Sequence, residues 1–209
     1  MEKFANLRKT QGKYASARFA RERRAAGKGQ TYMDEGTKIM ANLSIELCGV
    51  KLKNPVIAAS GTFGFGREFD ELYDVGILGG VSTKGLTLEP RPGNPVPRIA
   101  ESRGVILNAV GLQNPGVEHF IRCDLEWLKS KGTAVIANVA GKTLEDYAGI
   151  CKRLDGLADM IELNISCPNV KCGGMAFGIR PESVEEVTKA ARAALLKTPL
   201  MVKLSPNVE

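Results

Sequence analysis

TAVIANVAGKTLEDYAGICKRLDGLADMIELNI, residues 133–165, holds two short apolar runs, 133–139 and 160–165, on either side of an amphipathic stretch. Each run is rich in Val, Ile, Ala or Leu and too short for a helix, as expected of strands covered on both faces. Between them Thr143 suits a helix N-cap, and Leu144, Tyr147, Ala148, Cys151 and Leu154 recur at helical spacing. A strand, a crossover helix and a second strand predict a pair of parallel strands.

The same alternation extends outward. Toward the amino terminus, PVIAA (55–59) and GVST (80–83) read as strands, with a helix over 67–73 ended by Gly76. Before them, 43–47 and 50–52 flank Cys48-Gly49 as a small hairpin. Toward the carboxyl terminus, Pro181 fits a helix start, and Val184, Val187, Ala191, Ala194 and Leu195 form one apolar face. LMVKL (200–204) is then a fifth strand. Residues 86–130 interrupt the rhythm with a Pro/Gly-rich loop, EPRPGNPVP (89–97), extended pieces near 98–100 and 105–107, and a helix over 117–129. So long an excursion inside a compact domain usually carries function. Repeated strand–helix units fit either a doubly wound sheet or a (β/α)8 barrel.

The polar residues favour the barrel. Ser60, Lys84, Asn138, Asn164 with Cys167, and Lys203 each lie at or near the carboxyl end of a different strand. In a barrel these positions converge on one mouth, where barrel active sites lie. Each taken alone could be a solvated loop residue. Five in register would leave several polar groups at a strand end without partners, at roughly 2–7 kcal/mol each, unless a polar ligand satisfied them.

Composition removes other classes. The chain has 209 residues, 44% hydrophobic and 25% charged, which is ordinary globular usage. No run reaches the ~20 apolar residues of a membrane helix, and no secretory signal opens the chain. The five cysteines (48, 123, 151, 167 and 172) show no pairing pattern and read as reduced thiols of a cytoplasmic protein. The net charge of +6 belongs to residues 1–39, with ten Lys/Arg against four Asp/Glu, so the body is near neutral and has no nucleic-acid footprint of its own. Residues 1–39 read as a disordered basic leader ahead of a body over 40–209, with Met40 as a natural start.

Several motifs are missing. GTFGFG (61–66) is not G-x-G-x-x-G, and no Walker A sequence occurs, so neither a direct NAD site nor a P-loop is expected. His119 is the single histidine, which leaves no material for a Ser-His-Asp triad or a His-based zinc site. Cys167 and Cys172 have no second pair to complete a metal site, and no metal is expected.

The run NISCPNVKCGGMAFG (164–178) places a thiol at a strand end, followed by Pro and a Gly-containing loop. Here the chain resembles the class 1 dihydroorotate dehydrogenases, and within them the catalytic subunits of the NAD-linked subgroup. The resemblance is carried by NPVIAASGTFG (54–64), STKG (82–85), NAVGLQNPG (108–116), ANVAG (137–141), ELNISCPNVK (162–171) and VKLSPN (202–207). It implies a TIM barrel that binds FMN and oxidises dihydroorotate to orotate in pyrimidine synthesis. By matching motif, Ser60, Lys84, Gly85, Asn138, Asn164 and Lys203 would contact FMN. Lys84, Asn108, Ala109, Val110, Gly111, Leu112 and Asn164 would contact substrate, and Cys167 would be the catalytic base. The resemblance also implies an oligomer and a second subunit, carrying FAD and an iron–sulfur cluster, through which NAD is reached.

Elementary chemistry accords with those roles. Oxidising a C5–C6 bond removes a proton and a hydride, and a planar flavin takes the hydride on one face only. The base must then approach the other face, as a thiolate on a loop can. Asn amides match the edges of a pyrimidine, and lysines suit its carboxylate or charge developing on a flavin. Cys48, Cys123, Cys151 and Cys172 are read as inert, and Trp127 as core.

Five strands are legible, against eight in a full barrel of ~250 residues, so the barrel reads as truncated after about the fifth strand. The loops after strands 7 and 8, the usual phosphate grip, are not among the residues read. Two alternatives stand beside this reading. One is a dihydropyrimidine dehydrogenase-type catalytic domain, and the other is a non-catalytic partial barrel with a basic binding tail.

Overall fold

In the computed structural model, which describes residues 41–165, 177–178 and 180–204, the chain first turns on Cys48 and Gly49. Both take positive φ, 51° and 81°, the conformation that a two-residue hairpin turn needs to match strand twist. The turn joins β1 (Ile45–Leu47) to β2 (Val50–Leu52) in antiparallel register. Leu52 is buried, and Lys53 donates to the Gly76 carbonyl, so the hairpin is fastened below the strands that follow. The chain divides into units Met1–Ala41 and Asn42–Glu209, and every described element belongs to the second. The expected leader, 1–39, lies outside the described residues.

Five strands form one parallel sheet: β3 (Ile57–Ala58), β4 (Gly80–Ser82), β7 (Ala134–Val139), β8 (Met160–Asn164) and β9 (Leu200–Lys203). Their spatial order follows chain order, with no reversal. A doubly wound sheet reverses at a switch point, whereas a barrel adds each strand beside the last. The sheet is therefore an arc of a (β/α) barrel.

Register sorts the side chains. Ser82, Ile136 and Met160 share one level, Asn138, Glu162 and Met201 the next, and Asn164 and Lys203 the last. Paired residues of parallel strands face the same side. The alternate residues Val135, Ala137, Val139, Ile161 and Leu163 join the hydrophobic core with the crossover helices. Helix α4 (Leu144–Leu154) contributes Tyr147, Ile150, Cys151 and Leu154 to this core, and α5 (Pro181–Ala193) contributes Val187 and Ala191. Thr143 and Asp146 start α4 with a reciprocal capping box, and Pro181 starts α5.

Other elements depart from the sequence reading. The strand expected over 55–59 narrows to Ile57–Ala58. The helix expected over 67–73 is the single turn α1 (Arg67–Asp70), because Asp74 instead accepts from the Gly76 amide and starts a 3-10 turn, Val75–Ile77. The helix expected over 117–129 is α2 (Val117–Phe120), a π-helical stretch (Ile121–Leu125) and α3 (Glu126–Ser130). Within that stretch the Arg67 guanidinium takes the Cys123 carbonyl at 2.6 Å and the Asp124 carboxylate at 2.8 Å. A tertiary partner thereby captures a carbonyl of the helical ladder, a recognised cause of such bulges. Trp127 is only partly buried, beneath the Arg67 guanidinium at 4.5 Å. Between β4 and α2, β5 (Ile99–Ser102) and β6 (Val105–Asn108) form an exposed antiparallel hairpin.

Candidate active site

Strand β8 carries a carboxylate where its neighbours are aliphatic. Glu162 lies between the fully buried Ile161 and Leu163 and is itself 5% exposed. Its Oε1 accepts from Ser60 Oγ at 2.7 Å and from Asn138 Nδ2 at 2.5 Å, and its Oε2 accepts from Ser82 Oγ at 2.6 Å. Lys203 Nζ donates to Ser60 Oγ at 2.8 Å and stands 3.7 Å from Glu162 Oε1. Asn164 Nδ2 reaches Asn138 Oδ1 at 3.4 Å, while its backbone carbonyl accepts from the Tyr147 hydroxyl. Side chains from five successive strand ends thus meet in one network at the carboxyl end of the sheet.

Lys84 follows β4 at the same end. Its amide donates to the Gly64 carbonyl at 2.9 Å, and its half-buried side chain has no hydrogen bond or ion pair among the described residues. Gly85 comes next. A Cβ there would lie 2.9 Å from Asn138 Oδ1 and 3.0 Å from Leu112 Cδ1, so only glycine lets these three segments close. The Leu86 amide donates to the Asn138 carbonyl, and the Ala140 amide to the Leu86 carbonyl, which locks 84–86 against the end of β7.

The expected substrate stretch reaches the mouth only at its far end. Asn108 and Ala109 are exposed, whereas Val110, Gly111 and Leu112 are half-buried. The Pro/Gly-rich loop holds the stretch from the side, with Asn94 Nδ2 donating to the Ala109 carbonyl and the Asn94 amide to that of Val110. Asn114, 5% exposed, donates to the Leu112 carbonyl and accepts from the Thr87 and Gly116 amides. That bonding suits the left-handed Leu112, φ 56°.

The expected base, Cys167, lies outside the described residues, as does Cys172. The flanks of that segment are close: a Cβ on Gly178 would meet the Ile165 carbonyl at 2.4 Å. Cys48 and Cys123 are exposed and Cys151 is buried. Burial pushes the Cys151 thiol up to about 12, with Arg192 opposing the rise and Asp155 adding to it. A buried thiol held neutral on the helix side of the sheet is packing material.

Ser60, Asn138, Asn164 and Lys203 therefore meet in one network, Gly85 packs against Asn138, and Lys84 precedes Gly85 at the same end of the sheet. Glu162, Ser82 and Asn114 were missed. A charged residue inside MIELNI was the available signal for Glu162; Ser82 and Asn114 lay within the STKG (82–85) and NAVGLQNPG (108–116) motifs, which mark the segments and not those two side chains. Among the described residues no group of three His, Cys, Asp or Glu is placed to hold a metal, and no helix is long and apolar enough to cross a membrane.

The sequence profile of the family described as Dihydroorotate dehydrogenase matches residues 42–209. Among curated proteins, the Dihydroorotate dehydrogenase B (NAD(+)), catalytic subunit, of Caldicellulosiruptor saccharolyticus is 55% identical over 167 residues, covering 80% of this chain and 55% of the relative. The protein of the same description from Alkaliphilus metalliredigens is 55% identical over 168 residues, with the same coverages. That from Bacillus thuringiensis is 50% identical over 171 residues, covering 81% of this chain and 55% of the relative. The chain thus spans 55% of the length of these relatives. Among solved structures, the crystal structure of DHODH in complex with ferulenol from Eimeria tenella superposes with a TM-score of 0.66 at 20% identity, covering 93% of this chain and 60% of that one. The likeness is one of fold, and it identifies the parallel arc as part of a TIM barrel.

Proposed function

Because the chain belongs to the dihydroorotate dehydrogenase family, we propose that the protein oxidises dihydroorotate to orotate in pyrimidine synthesis, with FMN as its cofactor. The observation that carries the reading is the network that joins Ser60, Asn138, Asn164 and Lys203 at the carboxyl end of the sheet, with Gly85, which admits no side chain, packed against Asn138. Dihydroorotate dehydrogenases are in general flavin-dependent.

The residues present fit a flavin. Gly85 lets Asn138 and Leu112 close on the chain that follows β4, which fixes the Asn138 side chain beside the site. The flavin's carbonyl and ring-nitrogen edge needs donors and acceptors together, which Lys203, Asn138, Asn164 and Ser60 supply. When bound, the flavin supplies the acceptor for a hydride leaving substrate C6.

Lys84, whose ammonium has no partner among the described residues, is the group to hold the substrate carboxylate. Asn164 and the far end of the 108–112 stretch, at Gly111 and Leu112, face the pyrimidine edges, and Asn114 holds Leu112 in place for that task. Cys167 follows Ile165 by two residues in the chain. Its Sγ takes the C5 proton from the face opposite the flavin.

The relatives' description as catalytic subunits supports a separate electron-transfer subunit. We infer that it carries FAD and an iron–sulfur cluster, that NAD is reached through it, and that the assembly is an oligomer in the cytoplasm.

The test is Cys167→Ala in the full-length protein. It should stay yellow, because Cys167 is not among the flavin-holding groups, and lose flavin reduction by dihydroorotate. Near-normal reduction at neutral pH would remove Cys167 from the role, and reduction by dihydrouracil in preference to dihydroorotate would overturn the substrate assignment.

A further inference from the structure

We propose that Glu162 is the positioning residue of this site: its carboxylate orients Ser60, Asn138 and Lys203 toward the flavin and offsets the lysine charge, and so sets the flavin's reduction potential. The inference rests on the flavin reading above.

A carboxylate in the middle of a buried strand loses much of its hydration, and it persists only where donors replace the water. Glu162 has such donors from three other strands: Ser60 beyond β3, Ser82 at the end of β4 and Asn138 in β7. None of them neutralises the charge. Among the described residues the one cation in reach is Lys203, 3.7 Å away, whose side chain is 42% exposed against 7% for Glu162. The pair thus faces the mouth through its lysine and the interior through its carboxylate.

The directions of these bonds follow from the acceptor. A carboxylate can only accept, so Asn138 must turn Nδ2 to Glu162 and present Oδ1 toward Gly85 and Asn164. The Ser60 hydroxyl must donate to Glu162, which leaves its lone pairs to accept from Lys203 Nζ. One group therefore fixes the donor and acceptor pattern that three flavin-facing side chains present. A neutral amide at position 162 would have similar shape, but it would remove the requirement and leave the lysine charge without its counter-charge. Ser82 touches Glu162 alone within this network, as expected of a group that holds the carboxylate rather than the ligand.

Charge near a flavin moves its potential. An uncompensated lysine stabilises the more negative reduced flavin, and a neighbouring carboxylate opposes that stabilisation. Glu162→Gln in the full-length protein should therefore retain flavin, with weaker affinity, and shift its midpoint potential to more positive values. Lys203→Met should shift it the other way. The double variant Glu162→Gln/Lys203→Met should not show the sum of the two shifts, because the residues act as a pair.

The readouts are the flavin absorbance spectrum and its equilibration with reference dyes, so dihydroorotate turnover is not needed. A Glu162→Gln potential equal to the parent's, or shifts that add in the double variant, would overturn the proposal and leave the flavin reading intact. A parent protein that binds no flavin would overturn both. Should Glu162→Gln alone give no soluble protein, the double variant must restore a flavoprotein, because it removes the unpaired charge; its failure would mean that Glu162 serves only folding.

Discussion

Gly85 concentrates the steric demands of the site. A methyl group there would press on Asn138 Oδ1 and Leu112 Cδ1 at 2.9 and 3.0 Å, and neither can retreat freely. Asn138 is fully buried and held by Glu162 and Thr83, and the Leu112 carbonyl is held by Asn114. Gly85→Ala should cost about 1–3 kcal/mol of stability, the usual range for overpacking, and should weaken flavin binding. A flavin fluorescence titration beside a thermal melt measures both, and unchanged affinity would show that flavin binding does not depend on how Asn138 is held against Gly85. Most site residues at this scale were legible because a polar residue ending an apolar strand stands out. Glu162 stood inside its strand rather than at its end, and Asn114 lay in a loop where an Asn is unremarkable. Their roles depend on partners up to 102 positions away, such as Ser60 for Glu162.

Helix α4 depends on its two ends. Thr143 and Asp146 close the first turn, and Asp155 caps the last residue while bonding a distant loop. The Asp155 carboxylate accepts from the amides of Leu196, Lys197 and Thr198 at 2.9 to 3.0 Å. The Thr198 and Lys197 amides are the main cause that holds its pKa down, from 3.8 to about 2. A carboxyl whose folded pKa is depressed contributes stability that is complete above its unfolded value and lost as pH falls through the folded one. Asp155→Asn should therefore be less stable than the parent above about pH 4, and the gap should close as pH falls toward 2. Urea melts across that window check it, and a gap that stays constant with pH would assign the loss to geometry rather than charge. The amphipathic period and caps made α4 and α5 readable. The 117–130 segment was not, because its bulge follows from Arg67, a residue of another element.

Among the described residues, the parallel arc leaves an apolar face beside β9 without a neighbour. Beside β9 no further strand pairs among the described residues, and Arg180, Pro181, Val184, Thr188, Val202 and Leu204 line an open groove between α5 and β9. Leu196 and Leu204 are 86% and 60% exposed. An open edge with an apolar groove invites association. A polypeptide of only these 209 residues should therefore self-associate on size-exclusion chromatography and hold flavin weakly; a soluble yellow monomer would show that the arc is self-sufficient. By itself, the sequence determined the alternation of strand and helix, the crossover connections that make the sheet parallel, the strand ends bearing polar residues and the motifs that mark the family. All of these are local, written in periods of two and 3.6 and in short contiguous runs. Only the tertiary structure decided that the strands lie in unbroken order, that Glu162 joins four strand ends, and that Arg67 breaks a helix. Each of those rests on contacts between residues far apart in the chain, and no local period encodes which distant residue supplies the partner.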